Sequence, residues 1–187
     1  WGYLEGKHSL VVLPTSTLLK LRDQAGKVTD FWDQAVAMAA QFVGRGDVVP
    51  HQIFVPDIQI GVGYMHSGYP IMTHLDVAKE GDQPFAAPTD PGSFRGQTTK
   101  VPLVVDLDTL ANTGSWGHFH EIGHNLQDPA WTFSGTGEVT NNIIALWLLQ
   151  EMGDSSNSRI SPVERPWFGG KDAVLEEAYR YFADENI

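Results

Sequence analysis

The sequence predicts an α+β domain with a mixed sheet, its strand-like runs in the first 110 residues and its helical patterns concentrated from 111 onward. Three observations predict it. Short apolar runs bounded by proline or polar residues stand at 8–13, 52–55 and 101–107. Residues 29–43 repeat apolar side chains at helical spacing. Two more helical segments follow, one carrying His120, Glu121 and His124 and one opening at Glu138. With 187 residues, 42% of them hydrophobic, the chain can bury one substantial core, so a single domain over 1–187 is expected, with a strand-containing part at 1–110 and a helical part at 111–187.

Along the chain, Ser9-Leu10-Val11-Val12-Leu13, entered at His8 and closed by Pro14, reads as a strand. Thr15 to Gln24 reads as a short helix with Thr15 or Ser16 as cap and Gly26 as stop. A second helix runs from about Thr29 to Val43, where Phe31, Trp32, Ala35, Val36, Ala39 and Phe42 recur on one side and Gly44 ends it. Its aromatic residues belong in a core. Gln52 to Val55, between Pro50 and Pro56, is another strand.

An irregular stretch rich in glycine and proline then opens with Gly61-Val62-Gly63-Tyr64-Met65-His66-Ser67-Gly68-Tyr69-Pro70. Loops of this length in a compact domain are usually functional or mobile, and Tyr64, His66 and Tyr69 suit stacking on or hydrogen bonding to a ligand. Residues 79–97 read as a surface excursion. Val101 to Leu107 completes the strands, and Asn112-Thr113-Gly114-Ser115 offers turn and N-cap residues. A helix of about three turns follows from near Ser115 and is closed by Asp128-Pro129. Trp131 and Phe133 are placed in packing by default, with Trp131 also a candidate substrate contact. The run from Glu138 to Met152 is helical, as is Asp172 to Asp184.

Composition narrows the function classes. A formal net charge of −11 argues against nucleic acid and anionic membranes as partners, and no apolar run is long enough to span a bilayer. There is no cysteine, which removes disulfides and thiolate metal sites and leaves histidine and carboxylates as metal ligands. Trp1 is neither an initiator Met nor part of a signal-peptide pattern, and the last helical stretch runs to the end without a terminator; a portion of a larger protein is expected.

His120, Glu121 and His124 form HExxH. Residues four apart share one face of a helix, so both imidazoles can converge on a single ion, while Glu121, offset by one position, reaches a water beside the ion rather than the ion itself. A zinc ion with three protein ligands keeps a position open for chemistry, and the carboxylate relays the proton. In the metzincin continuation a Gly would stand at 127 and a His at 130; Gln127 and Ala130 exclude that class. The third ligand is then sought on a second helix, where Glu138 follows His124 by 14 positions. Asp128 is its rival, though Pro129 disfavours helical geometry there. Asn142, one turn after Glu138, is placed to hydrogen-bond a ligand. His118 points to another side of the helix, toward packing or solvent.

The stretches Gly63 to Pro70, Trp116 to Gln127 and Gly137 to Ile143, together with Phe31-Trp32-Asp33, resemble the enhancin-like, mucin-degrading zinc metallopeptidases, a gluzincin family, and the resemblance spans most of the chain. It implies a zincin-like catalytic domain with one catalytic Zn2+ on His120, His124 and Glu138, and Glu121 as general base. It implies an endopeptidase that cuts O-glycosylated or mucin-like proteins, secreted or held at a cell surface, with the 63–70 loop along the substrate cleft. A non-catalytic glycan-binding module that keeps the motif residues is the alternative.

Overall fold

The computed structural model describes residues 1–46, 48–78 and 103–152. The expected excursion at 79–97 and the helix at 172–184 lie outside the described residues. Five strands form one mixed sheet: β1 (Gly2–Glu5), β2 (Ser9–Leu13), β3 (Gln52–Asp57), β4 (Met65–His66) and β5 (Ile71–His74), in the order β1-β2-β3-β5-β4. The β1/β2 and β4/β5 pairs are antiparallel; β2/β3 and β3/β5 are parallel. The helices are α1 (Thr15–Leu21), α2 (Ala25–Phe42), α3 (Leu107–Thr113), α4 (Trp116–Leu126) and α5 (Gly137–Met152).

β2 and β3 alternate buried and half-buried residues, so one face supplies Val11, Leu13 and Phe54 to the core and Ile71 of β5 joins them. Pro56 sits inside β3, against the usual rule for a central strand. It is tolerated because β2 pairs β3 only as far as Phe54, so from Val55 on the strand bonds to β5 alone. Asp33 of α2 ties down the β1–β2 turn, accepting from the Lys7 and His8 amides at 2.5 and 2.8 Å and from the Ser9 hydroxyl at 2.7 Å.

Trp32 organises the centre. Fully buried on α2, it lies 4.8 Å from the Phe54 ring and 5.1 Å from both the Phe31 and His118 rings, and its indole N–H donates to the Val104 carbonyl at 2.8 Å. Phe119, Ile122 and Leu126 of α4 and Ile144, Ala145, Leu148 and Leu149 of α5 complete this core.

Several expectations are corrected. Residues 103–107 form no strand: Val104 and Val105 are buried in a turn, and α3 starts at Leu107 with the Asp106 side chain accepting from the Thr109 amide. A short apolar run looks the same whether it is buried as strand or turn. Gly26 lies in the first turn of α2 instead of ending α1, and Pro14 holds the N-cap position of α1 without a side-chain cap. β1 was not anticipated, and the stretch read as irregular contains β4 and leads into β5.

Candidate metal centre

Gly114 makes the turn into α4, with φ of +62° and no room for a Cβ, which would stand 2.6 Å from Leu149 Cδ2. Ser115 takes the N-cap position, but its hydroxyl sits 2.6 Å from His118 Nδ1 instead of capping the helix. That bond turns His118 into the core beside Trp32 and Phe54, where burial lowers its pKa to about 3 and keeps it neutral. It packs, as the sequence suggested for a residue off the motif face.

The next turn of α4 carries His120 and His124, whose Nε2 atoms are 3.2 Å apart. Glu138, in the first turn of α5, places Oε2 3.2 Å from His120 Nε2 and 3.3 Å from His124 Nε2. A tetrahedral zinc with bonds of about 2.0–2.1 Å has ligand atoms roughly 3.3 Å apart, so this triangle has the dimensions of one face of such a site. Two imidazoles and a carboxylate also match the donor set of a site with an open position. Among the described residues this is the one His/Asp/Glu group compact enough to hold an ion. The Glu138 side chain is 76% exposed, so solvent reaches the open side.

Both imidazoles are oriented from behind. Asn142 donates to the Glu138 carbonyl at 2.5 Å, which turns its Oδ1 toward His120 Nδ1 at 2.6 Å. Gln127 donates to the Gly137 carbonyl and the Thr140 hydroxyl at 2.6 and 2.5 Å, which turns its Oε1 toward His124 Nδ1 at 2.9 Å. Each carbonyl oxygen accepts from Nδ1–H, so the proton stays there and the Nε2 lone pair is left for a metal. Burial lowers the pKa of His120, favouring the neutral form a ligand needs.

Fully buried Asn141 lies beneath the rings, its Nδ2 2.9 Å from His124 Nε2 and 3.1 Å from both ring nitrogens of His120. Asn141 and Gln127 were missed by the motif analysis. The signal was spacing: each stands three positions after a proposed ligand, Asn141 within α5 and Gln127 just past the end of α4.

Glu121 is only 7% exposed. Burial raises its carboxyl pKa to about 7; Glu138 adds to the rise, while His124, His66 and the Ser67 backbone N–H oppose it. The structure therefore brings His66, on β4, into the electrostatic neighbourhood of Glu121. The two tyrosines are placed otherwise. Tyr64 donates to Asp76 at 2.5 Å with its ring stacked on His74, and Tyr69, 56% exposed, receives a long 3.3 Å bond from Gln52 Nε2. Trp131 packs against the core cluster. Asp128 stays in a turn, its side chain accepting from the Ala130 amide, and does not join the His-His-Glu group.

The family model described as "Peptidase M60, enhancin and enhancin-like" matches residues 1–82 and 85–184. The chain is 30% identical over 172 residues to TRPM8 channel-associated factor 2 of Homo sapiens, covering 88% of this chain and 16% of that protein. It is 28% identical over 184 residues to a TRPM8 channel-associated factor homolog of Danio rerio, covering 92% and 18%. The chain thus spans less than a fifth of the length of these relatives. A conserved protein of unknown function from Bacillus anthracis shares the fold at a TM-score of 0.58 and 22% identity, over 81% of this chain and 28% of that one. A mutant form from the same organism aligns at 0.65 and 20%, over 96% and 32%.

Proposed function

Since the chain belongs to the peptidase M60, enhancin and enhancin-like family, we propose that it is a zinc-dependent endopeptidase of zincin type that hydrolyses O-glycosylated, mucin-like proteins. The observation that carries the enzyme class is the His120–His124–Glu138 triangle, with edges of 3.2 to 3.3 Å, beside the buried carboxyl of Glu121. The substrate class, and a secreted or cell-surface location with it, is supported by the family resemblance. Among the described residues no helix is long and apolar enough to cross a membrane.

His120, His124 and Glu138 would hold the ion through Nε2, Nε2 and Oε2. A zinc ion there supplies the Lewis acidity that polarises the scissile carbonyl and acidifies a water molecule. Glu121 takes the proton from the attacking water as the C–O bond forms and delivers it to the amine as the C–N bond breaks. Without the ion, burial raises the Glu121 carboxyl to about 7; the charge of a bound zinc ion would oppose that rise and favour the carboxylate that takes the proton. Asn142 and Gln127 hold the imidazoles in the tautomer the metal requires. β4 is one of the two edge strands among the described residues and lies against α4 at Gly117, where a Cβ would stand 2.6 Å from Met65 Sδ; an extended peptide laid along it would pass Glu121.

The test is mass spectrometry of defined O-glycopeptides and their unglycosylated counterparts, incubated with the zinc-loaded chain with and without chelator. New termini confined to the glycosylated, chelator-free samples are expected. Binding of the glycopeptides without cleavage would establish the glycan-binding alternative instead.

A further inference from the structure

Asn125 stands one helical turn after Glu121 on α4, and both of its amide hydrogens and its amide oxygen are engaged. It accepts from the Gly68 N–H at 2.8 Å, donates to the Gly68 carbonyl at 2.9 Å and donates to Gln52 Oε1 at 2.7 Å. A primary amide has one acceptor oxygen and two N–H donors, so this set leaves its orientation no freedom. The reciprocal pair with Gly68 can be made by no apolar side chain, and by aspartate only on the acceptor side.

The neighbours of Gly68 extend the arrangement. Ser67 has its backbone beside Glu121, where it favours the charged carboxylate, and Tyr69 is bonded through its hydroxyl to Gln52, itself fully buried on β3. Two consecutive residues are therefore tied down, Gly68 on Asn125 and Tyr69 on Gln52, with Ser67 beside Glu121. Gly68 has φ of +130°, a conformation that favours glycine. Glu121 and Asn125, four apart, lie on one side of α4, and the segment is fastened to that side at Asn125. Neither Asn125 nor Gln52 touches the His-His-Glu triangle through any of these bonds.

We propose that Asn125 is a positioning residue: it fixes the Ser67–Tyr69 backbone against α4 and so sets the wall of the cleft beside Glu121 that a peptide substrate must meet. This rests on the peptidase assignment made above, and it separates two properties of the site. The triangle holds the metal, while the Asn125–Gly68 pair holds the segment that meets substrate.

The test compares the whole chain with Asn125→Ala and with Asn125→Asp, which keeps the shape and the acceptor for Gly68 N–H but loses both donated bonds. Four quantities are read: zinc stoichiometry, inhibition by acetohydroxamate as a small probe of the metal alone, kcat/KM on an O-glycopeptide well below the unfolding temperature, and hydrogen exchange over residues 66–70. Zinc content and acetohydroxamate inhibition are expected to stay at wild-type values, while kcat/KM falls roughly ten- to a hundredfold and exchange over 66–70 accelerates. Unchanged kcat/KM in both variants, with only a lower unfolding temperature, would overturn the proposal in favour of a purely structural role. Loss of zinc in step with activity would overturn it in favour of metal positioning. An inactive wild-type chain would instead overturn the peptidase assignment, and the exchange arm would still decide whether Asn125 holds the segment.

Discussion

A Cβ built on Gly123 would stand 2.5 Å from the carbonyl oxygen of Asn141 and 3.1 Å from its carbonyl carbon and Cα. The glycine inside the HExxH segment is thus the point where α4 and α5 touch backbone to backbone, and this contact brings Glu138 to the two histidines. Replacing Gly123 by Ala would add helix propensity of up to about 1 kcal/mol. The obstructing atoms are main chain and cannot rotate away, so a net destabilisation of about 1–3 kcal/mol is expected. Because the helices must separate to admit the methyl group, zinc affinity should fall as well. Denaturant unfolding and metal titration of Gly123→Ala check both.

The bonds behind the imidazoles predict a graded loss of metal. Asn142→Ala and Gln127→Ala each remove the acceptor that fixes one Nδ1–H, and a loss of roughly ten- to a hundredfold in zinc affinity is expected. Glu138→Ala removes a ligand atom and should cost more than either. Competition with a chromophoric chelator ranks the three, and a Glu138→Ala protein that binds zinc like the wild type would remove Glu138 from the ligand set.

His118 makes stability depend on pH. Burial holds its folded pKa at about 3, whereas an unfolded histidine titrates near 6.5. Below about 6.5 the unfolded chain takes up the proton first, so stability contributed by neutral His118 is full above that value and is lost as pH falls toward 3. The slope is about 1.4 kcal/mol per pH unit. His118→Gln, which can still bond to Ser115, should flatten the stability profile between pH 6 and 4 by that amount in urea unfolding. Parallel profiles would show that His118 does not titrate on unfolding.

What could be read from the sequence was what is local. The helices at 116–126 and 137–152 follow from spacing and breakers within one segment, and the approach of His120, His124 and Glu138 follows from joining two such segments by a short turn. What depended on distant partners was hidden. β4 is two residues long amid glycine and serine and gains its definition from pairing with β5, while the buried pair Val104–Val105 is placed by the indole of Trp32, 72 positions earlier than Val104. Asn125 follows the motif directly, yet its partners Gly68 and Gln52 lie 57 and 73 positions away, and nothing near it in sequence marks them.

In the proposed mechanism Glu121 acts on a water beside a zinc ion that it does not itself hold. Glu121→Gln keeps the volume of the side chain while removing the proton acceptor. Zinc stoichiometry and hydrolysis of one O-glycopeptide, measured on the same preparations of wild type and Glu121→Gln, test this role most directly. Equal zinc in both and a loss of kcat of at least about a hundredfold in the variant are expected. Undiminished turnover by zinc-replete Glu121→Gln would contradict it.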